Sequence, residues 1–245
     1  MKHLAPLLLA SVLAINPVSL SAAELLISPV NIDIAPGEKA ALLKLQNNSN
    51  TAMKIQVRVR QWDAHNSKQD KPKVVVSPSS LNILPGKQQV VRIVNTGPAS
   101  DINNERLYRV FLDEIPDMQN TSDQGLLLQV RYALPLFIGG PNLSVARTEN
   151  FDQLTSIWNR ALTYSYNKNA NQLSFTNQAN GHARISKVRY TNGSDKESVV
   201  FGGLLGYVQA NSQAAFAVSP VALTSSSKLF AEINGVDVEI NHDGR

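Results

Sequence analysis

Histidine is the side chain most often recruited as a general base or metal ligand near neutral pH. The chain has four, at positions 3, 65, 182 and 242. None stands at the His-x-x-x-His or His-Glu-x-x-His spacing that puts two ligands on one helix face. His65, His182 and His242 read as solvated loop or strand-edge residues. The carboxylates are no better placed. Asp113 and Glu114 are adjacent, so on a strand they point to opposite faces and cannot work as a pair. Asp237 and Glu239 share a face, as acids on any solvated strand edge would. The absence of cysteine removes disulfides, thiol nucleophiles, Fe–S clusters and Cys-ligated zinc together. No Gly-x-Ser-x-Gly elbow and no phosphate loop occurs. No motif supports an enzyme, and no cofactor or metal is expected.

The pattern that does stand out is apolar. In residues 125–137 (GLLLQVRYALPLF), Leu126, Leu128, Val130, Tyr132 and Leu134 share one parity. The other parity holds Leu127, Gln129, Arg131, Ala133 and Pro135. On a strand this makes one continuous apolar face. The chemistry open to such a face is binding: the backbone of an extended strand fixes register while alternate side chains fill a groove. The same face would also suit the core of its own domain, and parity alone does not separate the two.

The elements around it are strands. Ile55, Val57 and Val59 alternate with Lys54, Gln56, Arg58 and Arg60, the period of a half-buried strand. Seven strands are expected before residue 140: Leu25–Ile34, Ala41–Gln46, Met53–Trp62, Val74–Val76, Gln89–Val94, Leu107–Ile115 and Leu126–Ile138. Pro36-Gly37, Asn47-Asn48-Ser49, Pro78-Ser79-Ser80 and Pro85-Gly86 separate them as turns. That pattern fits an immunoglobulin-like sandwich, and a β-barrel would give similar strands. Gly139-Gly140-Pro141-Asn142 is the best boundary, dividing an N-terminal domain, 24–140, from a C-terminal one, 141–245. The second half is rich in Asn, Ser and Gly. Its expected strands are Ala161–Tyr166, Gln172–Thr176, Ala183–Tyr190, Ser198–Phe201, Ala214–Val218 and Lys228–Ile240, with Asn234-Gly235 closing a C-terminal hairpin. No helix of three turns and no internal repeat is expected. The fold class is all-β, with two sandwiches.

Residues 1–23 have the form of a secretory signal: Lys2, a short apolar run broken by Pro6, Asn16 and Pro17, then Ser21-Ala22-Ala23. No later run approaches the ~20 apolar residues of a spanning helix. The net charge of +4 is too small and scattered for a nucleic-acid partner. An exported protein that does not span a membrane is expected.

Three features now meet: the strand ending Glu114-Ile115-Pro116, a polar loop (117–124), and the long strand closing on Leu136-Phe137. With Leu84-Pro85-Gly86 followed by Val91-Arg92-Ile93, and the exported two-sandwich layout, the chain resembles the PapD-like periplasmic chaperones of chaperone–usher pili. The resemblance implies a boomerang of two sandwiches that lends the last strand of its first domain to an incomplete pilus subunit. Such complementation is a form of β-strand addition, in which main-chain hydrogen bonds give affinity and alternate side chains give specificity. Periplasmic location, pilus subunits as partners and delivery to an outer-membrane usher follow as further implications. The best-known members also carry two basic residues that grip the subunit's C-terminal carboxylate. Their positions here are Asn31–Ile32 and Pro135, none basic. The basic residue that meets a glutamate across the domain interface is here Gly139 or Gly140, so Glu105 is expected to lack its partner. These departures, with Tyr108-Arg109, resemble the archaic, Csu-type branch. A carboxylate still needs a cation, and the candidates are Arg109, then Arg131, with Arg92 and Arg106 behind them. Arg60 serves as a solvated control. The rival expectation, a secreted adhesin or carbohydrate-binding module, needs an exposed aromatic platform, and Trp62 and Trp158 stand far apart in sequence.

Overall fold

The computed structural model describes residues 25–62, 73–97, 103, 105–116, 129–141, 143, 150–193, 196–224 and 226–243. Nine strands among them precede residue 140: β1 (Leu25–Ser28), β2 (Ile32–Ile34), β3 (Ala40–Asn47), β4 (Met53–Gln61), β5 (Val74–Ser77), β6 (Ser80–Ile83), β7 (Gln88–Asn95), β8 (Arg106–Ile115) and β9 (Arg131–Ile138). They form a four-stranded sheet, β1-β3-β7-β5, and a five-stranded sheet, β2-β9-β8-β4-β6. The alternation in β4 works as expected: Met53, Ile55 and Val57 are buried, and Lys54 and Gln56 face water. They pack with Leu43, Leu45, Val91 and Ile93 of the other sheet.

One expected strand and one expected turn are corrected. Leu25–Ile34 is two strands in different sheets, because Pro29 lies between them and lacks the N–H a continuing ladder would need. Ser80, expected in a turn, opens β6, whose Leu81 and Ile83 are buried.

The second half contains α1 (Phe151–Ala161), β10 (Leu162–Asn167), β11 (Gln172–Asn177), β12 (Ala183–Thr191), β13 (Ser198–Val208), β14 (Ser212–Ala217), β15 (Lys228–Ile233) and β16 (Val236–His242). One seven-stranded sheet runs β13-β12-β15-β16-β10-β11-β14. Its two edge strands curl towards each other, so that the ring of Phe216 on β14 fills the space a side chain at Gly206 on β13 would need. The hairpin at Asn234-Gly235 is present. The protein is therefore nearly all β, in two sandwich-like domains.

The helix was not expected. Its inner face is Leu154, Ile157, Trp158 and Ala161, the i, i+3, i+4, i+7 spacing of an amphipathic helix, with Leu154 and Trp158 fully buried and the other two packed against the core. The cap adds to this: Asn150 Oδ1 accepts from the Gln153 N–H at 3.0 Å, and Asp152 and Arg160 suit the two ends of the dipole. Trp158 is fully buried and α1 packs on β16, so this tryptophan is core and offers no surface platform.

Candidate functional site: a half-paired strand, an arginine face and an aromatic joint

Strand β9 is paired unequally along its length. With β8 it runs antiparallel from Arg106 opposite Ile138 to Asp113 opposite Arg131. On its other side β2 meets only Leu136, Phe137 and Ile138. The half Arg131–Pro135 therefore has a neighbour on one side only among the described residues. Along the apolar parity, Leu136 is 0 % exposed and Leu134 is 7 % exposed, while Tyr132 and Val130 are half-buried. The face begins in the domain's own core and loses its cover towards the start of the strand. Of the five residues expected to face a partner, Leu134 is core, and Tyr132 packs at the core's edge. Val130 is the most outlying described one. Leu126, Leu128 and the loop 117–124 lie outside the described residues.

The opposite face of the same sheet carries arginines. Tyr108, Val110 and Leu112 of β8 point inward and are buried, which turns Arg109 outward as expected. Arg109 lies between Pro135 on β9 and Arg60 on β4, with its guanidinium 4.3 Å from the Trp62 ring centroid. Two rows along, Asp113 lies between Arg131 and Gln56. Arg58 Nε donates to Asp113 Oδ2 at 2.8 Å, and Arg131 Nε donates to Oδ1. Asp113 is only 5 % exposed. Burial alone would push its carboxyl up, but the hydrogen bonds from Arg131 and Arg58, with their charges, outweigh this and hold it below the usual carboxylate range. Arg92 projects from β7 in the other sheet, opposite Leu42. Arg106 lines a cavity of about 350 Å³ with Gln61, Trp62, Glu105, Leu107, Tyr108 and Gln209.

That cavity borders the joint between the two domains, and here two expectations are corrected. Glu105 has a partner, and His182 is not a solvated edge residue. The His182 backbone N–H donates to Glu105 Oε2 at 2.9 Å, and its ring Nδ1 lies 2.9 Å from Oε1. The same ring stacks on Phe137 at 3.4 Å between centroids, 6° from parallel. Tyr207 donates its O–H to Asn31 Oδ1 at 2.8 Å and meets Trp62 edge-on at 5.5 Å. Gly140 makes room for this: its φ is +80°, and a Cβ there would lie 2.9 Å from the Glu105 Cβ.

Residues 24–143 match the family model of the pili and flagellar-assembly chaperones, PapD N-terminal domain. A chain of the Acinetobacter baumannii CsuC–CsuE chaperone–tip adhesion subunit complex, from archaic chaperone–usher Csu pili, superposes with a TM-score of 0.63 at 25 % identity, over 90 % of this chain and 99 % of that one. This chain belongs to the PapD-like chaperones. A chain of the Salmonella enterica SafA pilin–SafB chaperone complex has the same fold, with a TM-score of 0.63 at 16 % identity over 90 % and 97 % of the two chains. So does the E. coli chaperone DraB, at 0.58 and 18 % over 89 % and 97 %. No curated protein matches by sequence.

In this chaperone the Asn31 position spans to Tyr207, and an aromatic stack with one Glu–His contact joins the domains. Tyr207 was not singled out from sequence, His182 was read as solvated, and Asn31 was noted for the basic residue it replaces rather than for a contact. They lie 77 and 176 positions from their partners, and no local pattern announces such pairs.

Two outcomes follow. Glu105→Ala should lower stability by roughly 1–3 kcal/mol, because the His182 N–H and ring lose their acceptor. It should also raise the radius of gyration in X-ray scattering; unchanged scattering would mean that this contact does not hold the joint. For Asp113 the folded carboxyl lies below its unfolded value of about 3.9, so its stabilising effect is full above that value. The effect is lost as pH falls through the folded value. The difference in urea midpoint between the native chain and Asp113→Asn should be large at neutral pH and shrink in strong acid; a pH-independent difference would contradict the assignment.

Proposed function

We propose that this chain is a periplasmic chaperone that captures pilus subunits by lending them the outer half of β9, and that it hands them to an outer-membrane usher. Residues 1–23 direct export, 24–140 form the capturing domain and 141–245 its companion. The observation that carries the reading is the half-paired β9: an apolar face that leaves its own core beside an open backbone edge. A strand added there completes the sheet on the open side. Full burial of an exposed apolar side chain contributes about 1.5–3 kcal/mol. Val130 and Tyr132 are already half covered, so each gains only part of that. The remainder comes from the backbone ladder and from Leu126 and Leu128.

For the subunit's terminal carboxylate the reading favours Arg109. Arg131 is engaged by Asp113, Arg92 is on the other sheet, and Arg106 lies at the cavity by the joint. Arg109 is the direct cross-strand neighbour of Pro135, where the resemblance placed a basic anchor. Arg60 beside it is exposed and has no carboxylate partner among the described residues. Like charges facing each other across a ladder repel, and a bound carboxylate relieves that repulsion. Arg60 is therefore part of the candidate site and no longer a suitable control; Arg92 takes that role. The adhesin alternative gains no support: Trp158 is core, and Trp62 sits beneath Arg109 at the joint.

Val130→Asp should leave circular dichroism unchanged and abolish co-purification with subunit, because a charge would have to enter an apolar groove. Wild-type yield of complex would refute the donated strand. Arg109→Ala should weaken subunit binding by well over tenfold, the scale set by the ~2–5 kcal/mol cost of unpairing a partly buried charge. Arg92→Ala should bind like the native chain. Equal affinities for the two variants would move the anchor elsewhere.

A further inference from the structure

Asp113 occupies the level at which β9 leaves the sandwich. Beyond the Asp113–Arg131 pair only two contacts continue the β8–β9 pairing among the described residues: the Glu114 N–H donates to Val130 O at 3.1 Å, and Gln129 Nε2 donates to Glu114 O at 3.1 Å. At that level one carboxylate draws in a guanidinium from each flanking strand, Arg58 from β4 and Arg131 from β9. The arginine side chains are 36 % and 59 % exposed, whereas that of Asp113 is 7 % exposed. The acid is sealed under its two cations. Arg131 also lies over the Phe111 ring, 5.9 Å from its centroid.

We infer that Asp113 is a positioning residue for subunit capture, acting through Arg131 to fix the register of the half of β9 that the subunit would meet. This rests on the reading of β9 as the donated strand. The need for such a lock follows from the pairing. Residues 131–135 have a single neighbouring strand among the described residues, and a slip of one residue would turn Val130 and Tyr132 to the arginine face. A buried carboxylate hydrogen-bonded to an arginine on each side at the last full rung opposes that slip, because a slip would break the Asp113–Arg131 bond and leave Asp113 with Arg58 alone. Arg131 thereby serves the strand rather than the subunit's carboxylate.

The test uses the full chain and its complex with a co-expressed pilus subunit. It compares Asp113→Asn, Arg131→Gln, the double variant and Asp113→Glu. Arg131→Gln changes an exposed side chain and keeps the test open should Asp113→Asn fail to fold. Backbone amide exchange of Tyr132 and Glu114, whose N–H groups face across the β8–β9 ladder, should quicken about tenfold in each single variant, with exchange in β10–β16 unchanged. Subunit affinity should fall about tenfold in each, and the double variant should fall no further than either. Asp113→Glu should recover part of the loss. Native exchange rates in both single variants would overturn the inference. So would losses that multiply in the double variant, which would mean that Arg131 touches the subunit itself. If Val130→Asp captures subunit normally, the donated-strand reading has failed and this inference falls with it, even where the exchange rates behave as stated.

Discussion

A β-strand satisfies its backbone only if both edges find partners, and β9 is built to leave half of that requirement open. Its closing residues sit between β2 and β8, in the middle of a sheet. Its opening residues have β8 alone among the described residues. The main features of the first domain serve this asymmetry. The inward parity of β8 and β9 anchors the strand in a closed core. Asp113 ties it to β8 and β4 at the last full rung. The outward arginines are kept off the apolar face by the pleat itself. An open apolar edge is normally a liability for aggregation, so a fold that keeps one must hold the rest of the strand firmly.

The joint between the domains solves a different problem. Without disulfides, the two small sandwiches are joined by packing and a few polar contacts. Phe137 links the two tasks. Its backbone is part of β9, while its ring stacks on His182 and approaches Trp62 and Tyr207. The strand whose edge is open at one end is thus fastened across the joint at the other.

Much of this was legible in the residues. Alternation over Met53–Gln61 revealed its strand because one face of it meets water. The inward set Tyr108, Val110 and Leu112 correctly sent Arg109 outward. What escaped notice depended on register. Parity shows that Asp113 and Arg131 are not core residues, but not that they face one another; that is decided by which rungs of two strands align. The His182–Glu105 contact depends on two domains meeting. Strand β13 continues past Phe201 because Gly202 and Gly203 fall at a bulge between the Val188–Phe201 and Ser186–Leu204 pairs, beyond which the pairing with β12 resumes. Helix α1 was legible and missed: Leu154, Ile157, Trp158 and Ala161 carry helical spacing behind an Asn150 cap.

Pro135 has a consequence of its own. The Glu114–Val130 hydrogen bond sets the phase of the β8–β9 ladder, in which bonded and non-bonded rungs alternate. Arg131, Ala133 and Pro135 therefore turn their backbone groups away from β8, towards the open edge. The first two offer both an N–H and a carbonyl. Proline offers a carbonyl alone. A strand docking along this edge finds complete rungs at Arg131 and Ala133 and a missing donor at Pro135, just where β2 begins to take over. The proline therefore marks one end of the open ladder, level with the Arg109 row.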